Sequence, residues 1–252
     1  MVERSELLNA LDGLLQPAMF HDYAPNGLQV EGRSRVRHLV SGVTASLALI
    51  DAAISAQACA VLVHHGLFWN DQSPCVTGWI RHRLARLLAN DISLLAYHLP
   101  LDAHPLWGNN AQLGQKLGLQ RQSHFGEHEL GCLGQRDNGA GFASPQTLAD
   151  HIQGILNRPV TLIEPLPKAI HQVAWCSGGA QSYFEAAIAA GADAFITGEI
   201  SEPQVHLARE CGVAYLACGH HATERYGAPA VASHLAERFG IDHTFIDIDN
   251  PV

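Results

Sequence analysis

One pattern limits this chain more than any other: a hydrophobic strand, a helix and a second hydrophobic strand occur twice at equal length. Residues 38–66 (HLVSGVTASLALIDAAISAQACAVLVHHG) align without a gap on residues 171–199 (HQVAWCSGGAQSYFEAAIAAGADAFITGE). Each stretch reads as a βαβ unit and therefore calls for a parallel sheet covered by helices. The equal lengths imply an internal duplication, although any two βαβ units share this outline.

The expected elements follow from the same periodicities. Leu7, Leu8, Leu11, Leu14 and Leu15 predict a helix over residues 5–16, and residues 23–30 predict a turn into a short strand. Strands are expected at 36–43, 58–63 and 92–97, with helices at 46–56, 81–90 and 109–117, the last closed by Gly118. In the second half, strands at 173–176, 192–196, 213–218 and 243–248 alternate with helices at 182–190, 202–211 and 221–239. Residues 119–170 are the least regular, with a short strand near 130–133, a helix over 145–156 and a strand near 160–163. The chain thus reads as α/β, with a first lobe over 1–118, a variable connecting segment over 119–170 and a second lobe over 171–252.

Composition narrows the function classes. A chain of 252 residues with 47% hydrophobic and 15% charged residues can bury a large core as one domain or two joined halves. The formal net charge of -9, with no basic cluster, argues against a general nucleic-acid or anionic-membrane binder. Cys59, Cys75, Cys132, Cys176, Cys211 and Cys218 form no C-x-x-C pair and read as reduced, mostly packed thiols. No run approaches the roughly 20 apolar residues of a membrane span. The start of the chain is charged and lacks the apolar core of a signal peptide. A cytoplasmic protein is expected.

Chemistry concentrates where the strands end. Val63-His64-His65-Gly66, Tyr97-His98-Leu99-Pro100-Leu101-Asp102 and Cys218-Gly219-His220-His221-Ala222-Thr223-Glu224 each follow a hydrophobic run. Ligands of open α/β sheets sit beyond the carboxyl ends of strands, and imidazole with carboxylate suits a borderline divalent metal. Adjacent histidines on a strand point to opposite faces, but Gly66 lets the backbone turn, so the two rings can serve two ions. His220 and Glu224 are spaced i, i+4 at a helix start and share one face. His98 and Asp102 have the same spacing, yet Pro100 favours an irregular loop, with Asp102 as ligand and His98 as a supporting or substrate-facing group. Any single segment is more often a hydrogen-bonded or surface histidine than a ligand; three of them in one chain favour metal. Cys218 is placed to pack rather than ligate. The turn at 177–180 resembles a phosphate cradle only weakly, since it lacks G-x-G-x-x-G and a Walker lysine, and an ordinary tight turn is the better reading.

Five segments together carry a resemblance: Asn26-Gly27-Leu28-Gln29-Val30, Val63-His64-His65-Gly66, His98-Leu99-Pro100-Leu101-Asp102, Thr197-Gly198-Glu199 and Gly219-His220-His221-Ala222-Thr223-Glu224. In order and spacing they are similar to the signature segments of the Nif-three-like family, whose bacterial members carry the name GTP cyclohydrolase I type 2. The likeness spans nearly the whole chain and is weakest at 120–170; the long central insertion of some members is lacking.

The resemblance implies two similar, intertwined α/β lobes with central sheets flanked by helices, a dinuclear metal centre between them and a homohexamer. It assigns His64, His65, Asp102, His220 and Glu224 as metal ligands, with a carboxylate bridging the ions, and leaves His98 and His221 for catalytic or supporting roles. The family often has proline after the histidine pair; Gly66 here alters the turn and not the ligand set. The implied reaction is metal-dependent opening of the guanine ring of GTP, with the Gly178-Gly179 turn as a further place for phosphate. The alternatives are a metallohydrolase acting on a phosphoester or amide, and a metal-binding regulatory or interaction protein without turnover. Zinc, iron, manganese and nickel all suit such nitrogen and oxygen donors.

Overall fold

The structure, a computed structural model, describes residues 1–165 and 168–252. It divides into two compact units: Met1–Gly108 with Arg225–Asp249, and Asn109–Glu224 with Asn250–Val252. Among the described residues no helix is long and apolar enough to cross a membrane.

The first unit begins with strand β1 (Val2–Glu3) and helix α1 (Arg4–Leu15). Glu3 and Glu6 close a reciprocal capping box at its start, and Leu7, Leu11 and Leu15 make its buried face. Then follow β2 (Gly27–Val30), β3 (Arg35–Val36), β4 (His38–Thr44), α2 (Leu47–Ser55), β5 (Ala60–His65), α3 (Gly78–Ala89), β6 (Ser93–Ala96) and α4 (Leu99–Ala103). Strands β4, β5 and β6 run parallel, and β2 closes one edge antiparallel to β6. Leu39, Val40, Val61, Leu62, Leu94 and Leu95 are fully buried, the continuous apolar run of a sheet covered on both faces.

The second unit contains α5 (Asn109–Lys116), β7 (Leu119–Phe125), β8 (Gly131–Arg136), α6 (Pro145–Leu156), β9 (Thr161–Ile163), β10 (Val173–Trp175), α7 (Phe184–Ala189), β11 (Ala194–Thr197), α8 (Glu202–Cys211), β12 (Ala214–Ala217) and α9 (His220–Glu224). Its sheet runs β7-β8-β10-β11-β12-β9, with β10, β11 and β12 parallel and β9 antiparallel at one edge. The chain then returns to the first unit as α10 (Gly227–Phe239) and β13 (Asp242–Phe245). β13 pairs parallel with β4 and completes the order β13-β4-β5-β6-β2.

The same succession therefore occurs in both units. An antiparallel edge strand (β2, β9) precedes three parallel strands (β4-β5-β6, β10-β11-β12) linked by two helices, and a five-residue helix follows (α4, α9). Soon after that short helix the chain passes into the other unit in each half, at Asn109, six residues beyond the end of α4, and at Arg225, the residue after α9.

Several expectations change. Residues 99–103 form helix α4 and not an irregular loop, because Pro100 falls in the first turn, where its missing N–H has no intrahelical partner to lose. The single helix expected over 221–239 is two helices. A continuous helix would need the N–H of residue 229 to reach the carbonyl of residue 225, and Pro229 has none. Residues 119–170 are no mere connector: β7, β8 and β9 belong to the second sheet, while α10 and β13 belong to the first unit and not to a 171–252 lobe. Strand β7 escapes the periodicities altogether, since its sequence LQRQSHF lies mostly exposed and shows no apolar run.

Candidate metal centre

His64 and His65 end β5. Parallel pairing of β5 between β4 and β6 holds the backbone there, so the two rings extend beyond the sheet from a rigid base. Their ring centroids lie 4.5 Å apart, and His98, the N-cap of α4, brings a third imidazole to 5.0 Å from His64 and 5.8 Å from His65. One nitrogen from each of the three lies within 4.8 Å of the others.

The second nitrogens are fixed. His64 Nδ1–H donates to the Tyr97 carbonyl at 3.1 Å, which turns Nε2 toward Asp102 Oδ2 at 3.6 Å. His65 Nδ1 shares a hydrogen bond of 3.0 Å with Thr44 Oγ1, and His98 Nδ1 donates to Asp22 Oδ1 at 2.7 Å. Locking one ring nitrogen on an oxygen sets tautomer and orientation so that the other can bind a ligand.

Asp22 organises this end of the first unit. Its carboxylate also accepts from the Leu99 N–H at 2.9 Å and from Asn26 Nδ2 at 3.0 Å, while Asn26 Oδ1 accepts the His98 N–H at 2.7 Å. Burial pushes the Asp22 carboxyl upward, but the His98, Asn26 and Leu99 bonds outweigh it and hold the pKa at about 2. Gly66 follows the histidine pair because a Cβ there would run into the Gln29 side-chain amide, whose Oε1 accepts the Leu67 N–H at 2.7 Å. The Asn26 and Gln29 of the first signature segment thus hold the other segments in place.

In the second unit His220 opens α9 between two carboxylates. Nδ1 donates to Glu199 Oε1 at 2.6 Å, and Nε2 lies 3.1 Å from Glu224 Oε2, one helical turn on. Burial alone would lower the His220 pKa; the two carboxylates overcome it and raise the value to about 9. Glu224 is 3% exposed. The turn at 177–180 packs against this pair: Gly178 has φ +69°, a Cβ there would collide with Glu224 Oε1, and its N–H donates to Thr223 Oγ1 at 2.9 Å. It therefore clamps α9. His221 is buried, and its backbone N–H donates to the Val252 carbonyl at 3.0 Å. Among the described residues it joins no group of three metal-capable donors. Cys218 is fully buried and its thiol is pushed far above its ordinary pKa, which suits packing and not ligation.

Within the first unit, then, His64, His65, His98 and Asp102 come together; within the second, His220 and Glu224 do. Imidazole nitrogen and carboxylate oxygen are donors suited to a borderline divalent ion. Two functional carboxylates carry no role in the sequence reading. Glu199 lies in one of the signature segments, whereas Asp22 is 76 residues from the His98 it orients and leaves no local signal.

A family model described as Duf34/NIF3 (NGG1p interacting factor 3) matches residues 2–251. The "GTP cyclohydrolase 1 type 2 homolog" of Pseudomonas aeruginosa is 51% identical over 247 residues, covering 98% of each chain. Its namesake from Yersinia pestis is 49% identical over 251 residues, again 98% of each. A solved structure described as protein ybgI, of unknown function, aligns over 100% of both chains with 46% identity and a TM-score of 0.95. TTHA1606 from Thermus thermophilus aligns over 100% of both with 31% identity and a TM-score of 0.88. With its signature segments at the ends of strands in two like units, and with relatives matched along their whole length, the chain belongs to the Duf34/NIF3 family.

Proposed function

We propose that this protein is a divalent-metal-dependent hydrolase in which His64, His65, Asp102, His220 and Glu224 hold two ions, acting in a reaction of the GTP cyclohydrolase type. One observation carries the metal reading: His64, His65 and His220 each engage Nδ1 with an oxygen, the arrangement that readies Nε2 for a metal. The name of the curated relatives favours GTP as substrate. Zinc, iron, manganese and nickel all remain suited to the donors. A homohexamer is the assembly that the family resemblance implies.

When bound, the ions would supply a Lewis acid for a substrate oxygen and bring the pKa of water down to roughly 7. The chain's own contribution is orientation and proton movement. Opening the guanine ring adds water at C8 and breaks a C8–N bond; a second water then releases C8 as formate. Each addition needs a group that takes a proton from water and returns one to a departing nitrogen. His98 suits this role because Asp22 fixes its Nδ1–H and leaves Nε2 to exchange the proton. His221 is the second candidate, and its buried place on α9 makes it better suited to supporting His220 and Glu224.

Protein stripped of metal, reloaded with one divalent ion at a time and assayed for formate from GTP tests the reading. Metal-dependent formate release that is lost in His64→Ala supports it. Silence in every metal form, or full activity in His64→Ala, rejects it. A phosphoester or amide substrate would use the same donors and is separated by a substrate panel. The family's description as an interacting factor favours a second reading, a metal-binding interaction protein without turnover. Metal binding with no turnover on that panel, together with a co-purifying partner, would select it.

A further inference from the structure

We propose that the groove formed by the loop between β5 and α3 receives a planar heteroaromatic ring, a purine base, and that Trp69 is the face on which the ring stacks. The proposal rests on the hydrolase reading above and names where the base of its substrate lies.

The loop, residues 66–77, leaves directly from the donor pair His64-His65 and encloses a groove of about 420 Å3. That size lies within the usual range of small-molecule sites. Phe68 and Ile80 line it and also pack on the apolar core beneath, so they form its floor. Trp69 and the half-exposed Trp79 supply two indole walls, with Ser73 and Thr77 as polar neighbours.

Trp69 joins this groove to the imidazole cluster. Its ring lies 5.9 Å from His65 and meets His98 edge-on at 5.2 Å, so a molecule stacked on it is beside the donors. The loop is pinned in place. Leu67 N–H donates to Gln29 Oε1 at 2.7 Å, Gln72 N–H to the Trp69 carbonyl at 3.1 Å, and Asn70 N–H to the Tyr23 carbonyl at 2.9 Å, next to the Asp22 that orients His98. A wall held this way loses little freedom when a ligand arrives.

Aliphatic ligands gain only contact area from such a wall. A planar heterocycle also gains from offset stacking on the indole face, and every nucleobase has a face to offer. Charge points the same way: the Arg83 guanidinium lies over the Trp79 ring at 4.7 Å and so puts a cation on one wall residue of the groove, in a chain of net charge -9, where an anionic group on the base's sugar would be welcome.

Calorimetric titration of the metal-loaded full chain with guanosine, GTP and inorganic tripolyphosphate tests the assignment. Guanosine and GTP are expected to bind saturably, and Trp69→Ala to weaken guanosine by about tenfold or more, the loss of one base–aromatic stack. Metal content should stay at the wild-type level, and Trp69→Phe should bind within roughly threefold of wild type because it keeps an aromatic face. No saturable guanosine binding, or equal affinity in Trp69→Ala, overturns the proposal. So does loss of a self-association in Trp69→Ala with guanosine affinity intact, which would give the groove to a second copy of the chain. If guanosine binds as expected but GTP yields no formate, the base site stands and the ring-opening reading falls. If Trp69→Ala releases formate with unchanged KM, the reaction stands and the base site falls.

Discussion

A methyl group at Gly178 has nowhere to go: it would collide with Glu224 Oε1, on a backbone whose φ of +69° already resists a side chain. Gly178→Ala is therefore expected to lower stability by about 1–3 kcal/mol in urea unfolding and to reduce bound metal, since Glu224 must move to make room. Asp22 gives the pH dependence. Its folded pKa of about 2 lies below the ordinary 3.8, so its stabilising effect is complete above 3.8 and fades as pH falls toward 2. Asp22→Asn should therefore be less stable than wild type at pH 6, with the gap narrowing below about pH 4 in metal-free unfolding titrations. The histidine and carboxylate segments are legible at this scale because three of them follow hydrophobic runs at strand ends. Asp22 is not, because its bonds to His98 and Leu99 span 76 and 77 residues.

Elements are legible where periodicity and caps agree. Helix α6 shows both: Ser144 Oγ accepts the Thr147 N–H at 3.2 Å, Thr147 Oγ1 accepts the Ser144 N–H at 3.0 Å, and Leu148, Ile152 and Leu156 form the buried face. Ser144→Ala should cost about 1 kcal/mol, seen as a lower denaturation midpoint at unchanged m-value. Proline accounts for the departures. Pro100 reads as a breaker in the sequence although a first turn accepts it, and Pro229 splits α9 from α10 within a run whose apolar spacing suggests one helix. The consequence falls on the candidate site, because α4 and α9 are matched five-residue helices, each carrying a histidine just before or at its first residue and a carboxylate four residues on.

At the scale of the molecule, the unexpected feature is exchange. Helix α10 comes from the end of the chain, yet Ala228, Val231, Ala232 and Leu235 lie fully buried in the same core as Leu39, Leu62 and Leu95 of the first sheet. Leu235→Ala should destabilise the protein by about 2–5 kcal/mol, the cost of a large cavity, measured by chemical denaturation. The sequence by itself determined the α/β class, the repeated strand–helix–strand units and the histidine and carboxylate segments at strand ends. Those depend on local periodicity and residue chemistry, which a linear text preserves. Only the tertiary structure decided that α10 and β13 belong to the first sheet's unit, that 119–163 builds half of the second sheet, and that Asp22 and Glu199 orient His98 and His220. These are pairings between residues distant along the chain, chosen by burial and hydrogen-bond satisfaction, to which neighbouring sequence carries no pointer.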